Sequence, residues 1–484
     1  MFTAPRKEAF RSQQKVRELP PPLKGLHSAS RINATPAGYA LRLDNLVGRT
    51  DGLHIRAGHT VVMSGLGGSV VSLMHHKNKV FAATALQVTD GATSTSCLGG
   101  DWHSDRISNP GGLFLVAANG GDGLRVYDGS SWQTVALDGL DASTIVDLCV
   151  HQSRLWLVPR NSLTIYYLDV DVFAGKVHPV YLAPLVRQGG TVAAITSITQ
   201  DGGRNANDQL AIITTKGEMI LWNGADPAKA ETWAMAGVYA MPEPVGNRCF
   251  ADWGGRNVYL SKGGVIPLPD ALSKPGPEKQ LASLSVDIWP TLNPLLASGS
   301  WSMAKSIEHE MLVVSGPTGQ FVRSGTGAWS TFSLNATCWL DAPTGLYFGT
   351  SDGKVCKYGG TTDNGQPISA YMVDRYDRLG TATVKTASQV RPIYLADHPY
   401  KPRVQMLANY REPPTTFAAH WTDGSDPASW MPPGGLVRGA SNRQGPWRGV
   451  SGEGTALALA LGIKTTTPIV YQGYDLAYEI GGAT

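Results

Sequence analysis

Few of the carboxylates, imidazoles and thiols in this chain fall at spacings that could do chemistry. His75-His76 is an adjacent imidazole pair expected on a turn between two strands. Neighbouring strand residues face opposite ways, so the pair makes poor metal-ligand geometry. Asp201…Asn205-Ala-Asn-Asp208 is oxygen-rich but has no bidentate acid at the offset of an EF-hand loop. Asp374-Arg-Tyr-Asp-Arg378 sets two carboxylates three residues apart, each beside an arginine. A glycosidase needs two carboxyls facing each other across a cleft, so these read as structural ion pairs. The P-loop, GxSxG, HExxH and dinucleotide patterns are absent from the sequence. These residues predict no catalytic site, no metal site and no cofactor.

Charge offers a different kind of chemistry. Arg6, Lys7, Arg11, Lys15, Arg17 and Lys24 face only Glu8 and Glu18 in the first 24 residues, an excess of four positive charges in a chain of formal net charge +3. A basic segment with few apolar residues, punctuated by Pro20-Pro-Pro22, cannot build a core of its own. It reads over residues 1–40 either as a solvated tail or as an extended docking arm that orders on a partner, an acidic protein groove in preference to nucleic-acid phosphate. Without aromatic interleaving it makes a poor stacking platform for single strands. The rest of the chain is close to neutral, which is not the composition of a body that grips DNA.

The elements that must carry these groups are β-hairpins. A short apolar run leads to a Gly-containing turn and a second alternating run ending in Tyr or Trp. Clear copies are Leu113–Ala117 into Gly123–Tyr127, Leu210–Thr214 into Gly217–Trp222, Met311–Ser315 into Gly319–Val322, and Leu346–Gly349 into Gly353–Tyr358. Period-2 alternation bounded by Gly, Asn and Asp is hairpin patterning. Recurrence every ~35–55 residues is the spacing of propeller blades. The predicted fold is all-β: a β-propeller of six or seven blades over residues 41–360, after the N-terminal extended arm. A helix is expected over 281–296, stopped by Pro290. Beyond the turn-rich Gly359–Gly365, alternating runs at Ser388–Leu395, Arg403–Asn409, Ala456–Leu461 and Ile469–Ile480 predict a smaller C-terminal β-sandwich or sheet over 361–484.

Composition agrees with this picture. The chain has 56 Gly and 31 Pro with 16% charged residues, a turn-rich balance, and 42% hydrophobic residues for a large core. Five scattered cysteines without a CxxC pair suggest folding in a reducing cytoplasm. The N-terminus carries basic residues without a following apolar h-region, so no secretory signal is expected. No stretch approaches ~18 apolar residues, so no membrane span is expected.

Arg42-Leu-Asp-Asn-Leu46 followed by Thr50-Asp-Gly-Leu-His-Ile-Arg-Ala-Gly58 resembles the opening of a family of phage tail proteins. So do Phe114–Asn119 with Tyr127–Trp132, Arg154–Leu157, Thr215–Glu218 with Asn223–Pro227, and Asn257–Leu268. The family is the head-completion, tail-hub or nozzle protein of short-tailed phages, which includes packaged-DNA stabilisation proteins. The resemblance implies a structural virion protein: a homohexamer forming a ring or tube below the portal and its adaptor ring. Double-stranded DNA would pass its bore without sequence-specific contact. It implies assembly in the host bacterial cytoplasm and residence in the virion tail, with no enzymatic step. Asp51, Gly52, Arg56 and Gly58 match the family's opening motif, where a turn and a salt bridge are the expected roles. Two other readings stand beside it: a propeller glycosidase or lyase acting on host surface polysaccharide, and a cellular propeller scaffold that binds peptides.

Overall fold

A computed structural model describes residues 14–201, 206–229, 231–253, 256–396, 400, 402–414 and 441–481. The chain divides into two compact units, one of residues 59–322 and 332–360, the other of residues up to 58, 323–331 and 361–484.

The first unit is a propeller of seven small antiparallel sheets. From the inside outward, the first blade is Ser72–His76, Lys79–Ala83, Gln87–Thr89 and Ser94–Ser96. The second is His103–Asn109, Gly112–Ala118, Arg125–Tyr127 and Trp132–Thr134. The third is Ile145–His151, Arg154–Pro159, Thr164–Tyr167 and His178–Tyr181. The fourth is Val192–Asp201, Ala206–Thr214, Glu218–Gly224 and Trp233–Ala240. Phe250–Trp253, Arg256–Ser261 and Gly264–Pro267 make the fifth, and Ser302–Ser306, Met311–Gly316 and Gly319–Ser324 build the sixth. The seventh takes Ala336–Ala342, Gly345–Thr350 and Val355–Tyr358 from one end of the unit and His59–Met63 from the other. His59 lies opposite Tyr358 and Met63 opposite Val355, so this strand closes the ring.

Alternation makes each strand bury one row against the preceding blade and the other against the next. Large aromatics fill those interfaces. Phe81 of the first blade meets Tyr127 of the second edge-on at 4.8 Å. Trp233 of the fourth lies flat between Trp222 (5.3 Å) and Trp156 of the third (5.4 Å). Such pairs add about 0.5–1.5 kcal/mol beyond the area they bury.

Two expectations within this unit need correction. His75 and His76 lie on the inner strand Ser72–His76, not on the turn. The turn is Lys77-Asn78, where Lys77 takes φ +52°, and His76 is buried, its Nε2–H donating to the Leu113 carbonyl at 2.9 Å. The expected helix over 281–296 is replaced by three short pieces, Leu268–Ser273, Gly276–Leu281 and Trp289–Leu296. Pro290 starts the last of these rather than stopping it, because proline's fixed φ and missing N–H suit the first helical turn.

The second unit holds two sheets. One joins Lys385–Ala396 and Val470–Ile480 at its centre with Gly52–Ile55, Leu46–Arg49, Lys15–Leu19, Ser441–Gln444 and Arg448–Gly454. The other runs Gly25–Leu26, Tyr39–Asp44, Ile368–Asp374, Leu457–Thr465 and Arg403–Ala408. Tyr371, Val373, Leu407 and Ala456, Ala458 and Ala460 pack in one apolar cluster. This differs from the expected arm over 1–40 and the propeller start at 41. Tyr39–Asp44 pairs with Ile368–Asp374, and Lys15–Leu19 pairs with Val470–Ile480. Residues 14–58 thus complete the C-terminal sheets instead of standing apart from them.

Candidate functional site

A set of polar contacts lies where the inner strands of the propeller converge. Asp147 sits on the third blade's inner strand. One carboxylate oxygen accepts from His103 Nδ1–H of the second blade (2.7 Å) and from the Leu148 amide (2.9 Å); the other accepts from the Ile195 amide of the fourth (2.9 Å). One buried side chain therefore ties three blades together. At the same end, Arg248 precedes the fifth blade and reaches the connection before the second. Its guanidinium meets the Asp101 carboxylate at 2.7 Å and the Trp102 carbonyl at 2.8 Å. Burial raises the Asp101 carboxyl, but the Arg248 and His103 charges outweigh it and hold the group below its ordinary range.

The other end of the axis repeats the pattern. Arg106 donates to His75 Nε2 at 2.8 Å between the first two blades. Burial, with the Arg106 and His76 charges, pushes His75 down to about 4, which keeps it a neutral acceptor. Asp105 accepts from the Val150 amide of the third blade at 2.7 Å, and burial lifts its carboxyl above the usual range. Lys305 of the sixth blade meets Asp252 of the fifth at 3.0 Å.

Chemically this is bracing. Cys149, Cys249 and Cys338 lie on or beside inner strands, and burial raises all three thiols, Cys338 to about 11, so none is a ready nucleophile. All five cysteines are free and buried. Among the described residues no group of three His, Cys, Asp or Glu side chains could hold a metal ion, and no helix is long and apolar enough to cross a membrane.

The opening motif lies in the second unit. Thr50-Asp51 is the turn of the hairpin Leu46–Arg49/Gly52–Ile55. Asp51 accepts from His54 Nε2 at 2.7 Å, a hydrogen bond that lowers its carboxyl. Gly52 passes so close to Val470 and Tyr471 that a Cβ would lie 2.5 Å from the Val470 Cγ1. Arg56, its side chain 2% exposed, makes a two-pronged pair with Asp363 at 2.8 and 2.7 Å, and its Nε donates to Asn45 Oδ1 at 2.9 Å. Gly58 runs against the Thr362 backbone, where any Cβ would collide. Arg56 and Gly58 thus hold residues 56–58 beside 361–363, where the chain leaves this unit and returns to it, while Asp51 and Gly52 shape the hairpin turn and its packing on Val470 and Tyr471.

Of the six expected docking residues, Arg6, Lys7 and Arg11 lie outside the described residues. Lys15 and Arg17 are exposed on the strand Lys15–Leu19. Lys24 is exposed, its ammonium 5.6 Å from the Tyr39 ring centre. Lys15, Arg17 and Lys24 belong to the second unit and the axial cluster to the first. That cluster went unforeseen because His103, Asp147 and Arg248 share no motif and converge only through blade topology. Asp374-Arg-Tyr-Asp-Arg378 resolves into an Arg375–Asp377 pair at 2.7 Å and a buried Asp374.

No family model and no curated protein matches the chain. Solved structures with a similar course of the chain include BBS1N in complex with ARL6DN, at 11% identity and a TM-score of 0.40, over 64% of this chain and 99% of that one. YCF48 bound to D1 peptide matches at 12% and 0.37, over 67% and 99%. The β-propeller domain of Myceliophteria thermophila Cps50 (Swd1) matches at 10% and 0.41, over 63% and 100%.

Proposed function

We propose that this chain is a structural, non-enzymatic scaffold, and within that class a tail-hub or nozzle subunit of a short-tailed phage. The observation that carries the proposal is the assignment of polar side chains. At the axis, Asp101, Asp147 and Arg248 are engaged in cross-blade braces, and in the opening motif Arg56 is locked to Asp363. A body in which paired charge braces blades and crossings suits a part that must hold its shape under load.

Within this reading, the genome's passage lies between copies of the chain around an assembly axis. The bridge from Arg248, before the fifth blade, to Asp101, before the second, supports the propeller as a wall element rather than the pipe. The near-neutral body favours a wall that DNA slides past. Host surface polysaccharide as a substrate would instead require two carboxyls free to face a sugar.

The test is to mix purified protein with its adjoining adaptor ring and image negatively stained particles. Sixfold rings, alone or on the adaptor, are expected. Persistent monomers that ignore the adaptor would overturn the hub reading and leave the peptide-binding scaffold.

A further inference from the structure

The strand Lys15–Leu19 is paired on one side only among the described residues, with Tyr474–Tyr478. Among the described residues no strand pairs with the backbone N–H and C=O groups of its other edge. Pro20–Pro22 follows directly, and proline carries no N–H, so the open ladder ends there. Opposed residues of an antiparallel pair share a face. Lys15 and Arg17 oppose Tyr478 and Leu476, and share their face of the sheet with the buried Leu19. Both are exposed and neither forms an ion pair among the described residues. Val16, on the opposite face, is 60% exposed.

This edge selects its partner by charge. Pairing with a second copy about a twofold axis would set Arg17 against Arg17 and Val16 against Glu18. Like charge at an open edge blocks self-association. An acidic strand meets neither obstacle. We propose that Lys15–Leu19 docks an extended acidic segment of a partner protein by strand addition. Carboxylates at alternate positions would face Lys15 and Arg17, with β-branched residues between them against Val16. Main-chain hydrogen bonds would supply affinity and the alternating carboxylates specificity. The inference deepens the scaffold reading by giving its N-terminal segment a docking mode and a partner chemistry.

The probe is a capped (Thr-Glu)4 peptide, with (Thr-Lys)4 and (Gly-Glu)4 as controls, titrated against the full chain by biolayer interferometry and followed by amide hydrogen exchange. Binding of (Thr-Glu)4 with slowed exchange confined to residues 15–19 is expected, weakening as salt rises. (Gly-Glu)4, equal in charge but poor in β-propensity, should bind at least tenfold more weakly. Lys15→Glu with Arg17→Glu, both exposed, should leave thermal unfolding unchanged and reverse the preference to (Thr-Lys)4. Equal binding of all three peptides, or no protection at 15–19, would overturn the proposal. Rings that form on the adaptor while the peptide test fails would remove this inference alone. A passed peptide test with only monomers on the grid would remove the hub reading alone.

Discussion

Three buried charges in the second unit are held in three different ways, and each responds differently to substitution. Asp374 is buried, accepts one hydrogen bond from the Arg375 amide at 2.7 Å, and burial pushes its carboxyl up to about 7. A carboxyl raised from about 4 in the unfolded chain to about 7 in the fold favours folding at low pH. That contribution is lost as pH rises through 7. Asp374→Asn keeps the acceptor and removes the charge, so it should be nearly neutral at pH 4. At pH 8 it should stabilise by about 2–4 kcal/mol, read by urea unfolding at both pH values. Lys385, with no exposed surface, donates to the carbonyls of Thr381, Thr383 and Thr455 at 2.7–2.8 Å. Lys385→Met should destabilise by about 2–4 kcal/mol, because it leaves several carbonyls without this donor. Arg56→Ala should cost about 3–5 kcal/mol by stranding Asp363, and Arg56→Lys less but not nothing, since an ammonium cannot reproduce the two-pronged geometry.

The element on which the propeller depends most is the closing strand His59–Met63. Val61 lies opposite Cys356, with a bulge between Val355 and Cys356 that leaves Val62 outside the ladder and 46% exposed. Val61→Pro puts a ring-locked residue into the ladder, and is expected to cost about 2–4 kcal/mol. Limited proteolysis should then cut within the first or seventh blade at protease levels that spare the parent chain. Much of the architecture was legible at this scale. The alternation of Leu113–Ala117, Leu210–Thr214 and Leu346–Gly349 marks true second strands of blades, and Ser388–Leu395 falls within the long strand Lys385–Ala396. The origin of the seventh blade's outer strand was not legible. His59–Met63 alternates like any edge strand, and only ring closure, a property of the whole set of repeats, assigns it to Val355–Tyr358.

At the scale of the whole chain, what escaped the sequence was discontinuity. Tyr39–Asp44 reads as the natural start of a propeller until its partner, Ile368–Asp374, is known. Arg56 and Asp363 are separated by 307 positions and share no motif. Local patterning reports which residues form strands and says little about which distant strand each will meet.

The closing strand also imposes an order in time. His59–Met63 leaves the ribosome nearly three hundred residues before its partner Val355–Tyr358. Through that interval the nascent ring is an open arc with bare strands at both ends, and closing so long a loop is slow. Release of the chain before Tyr358 should yield aggregation-prone arcs, whereas a permutant that begins at Ser72 and carries 59–63 after 358 would finish its last blade within one stretch of synthesis. Comparing the onset of protease resistance in arrested nascent chains of the two would measure how long the natural order leaves the ring unlatched.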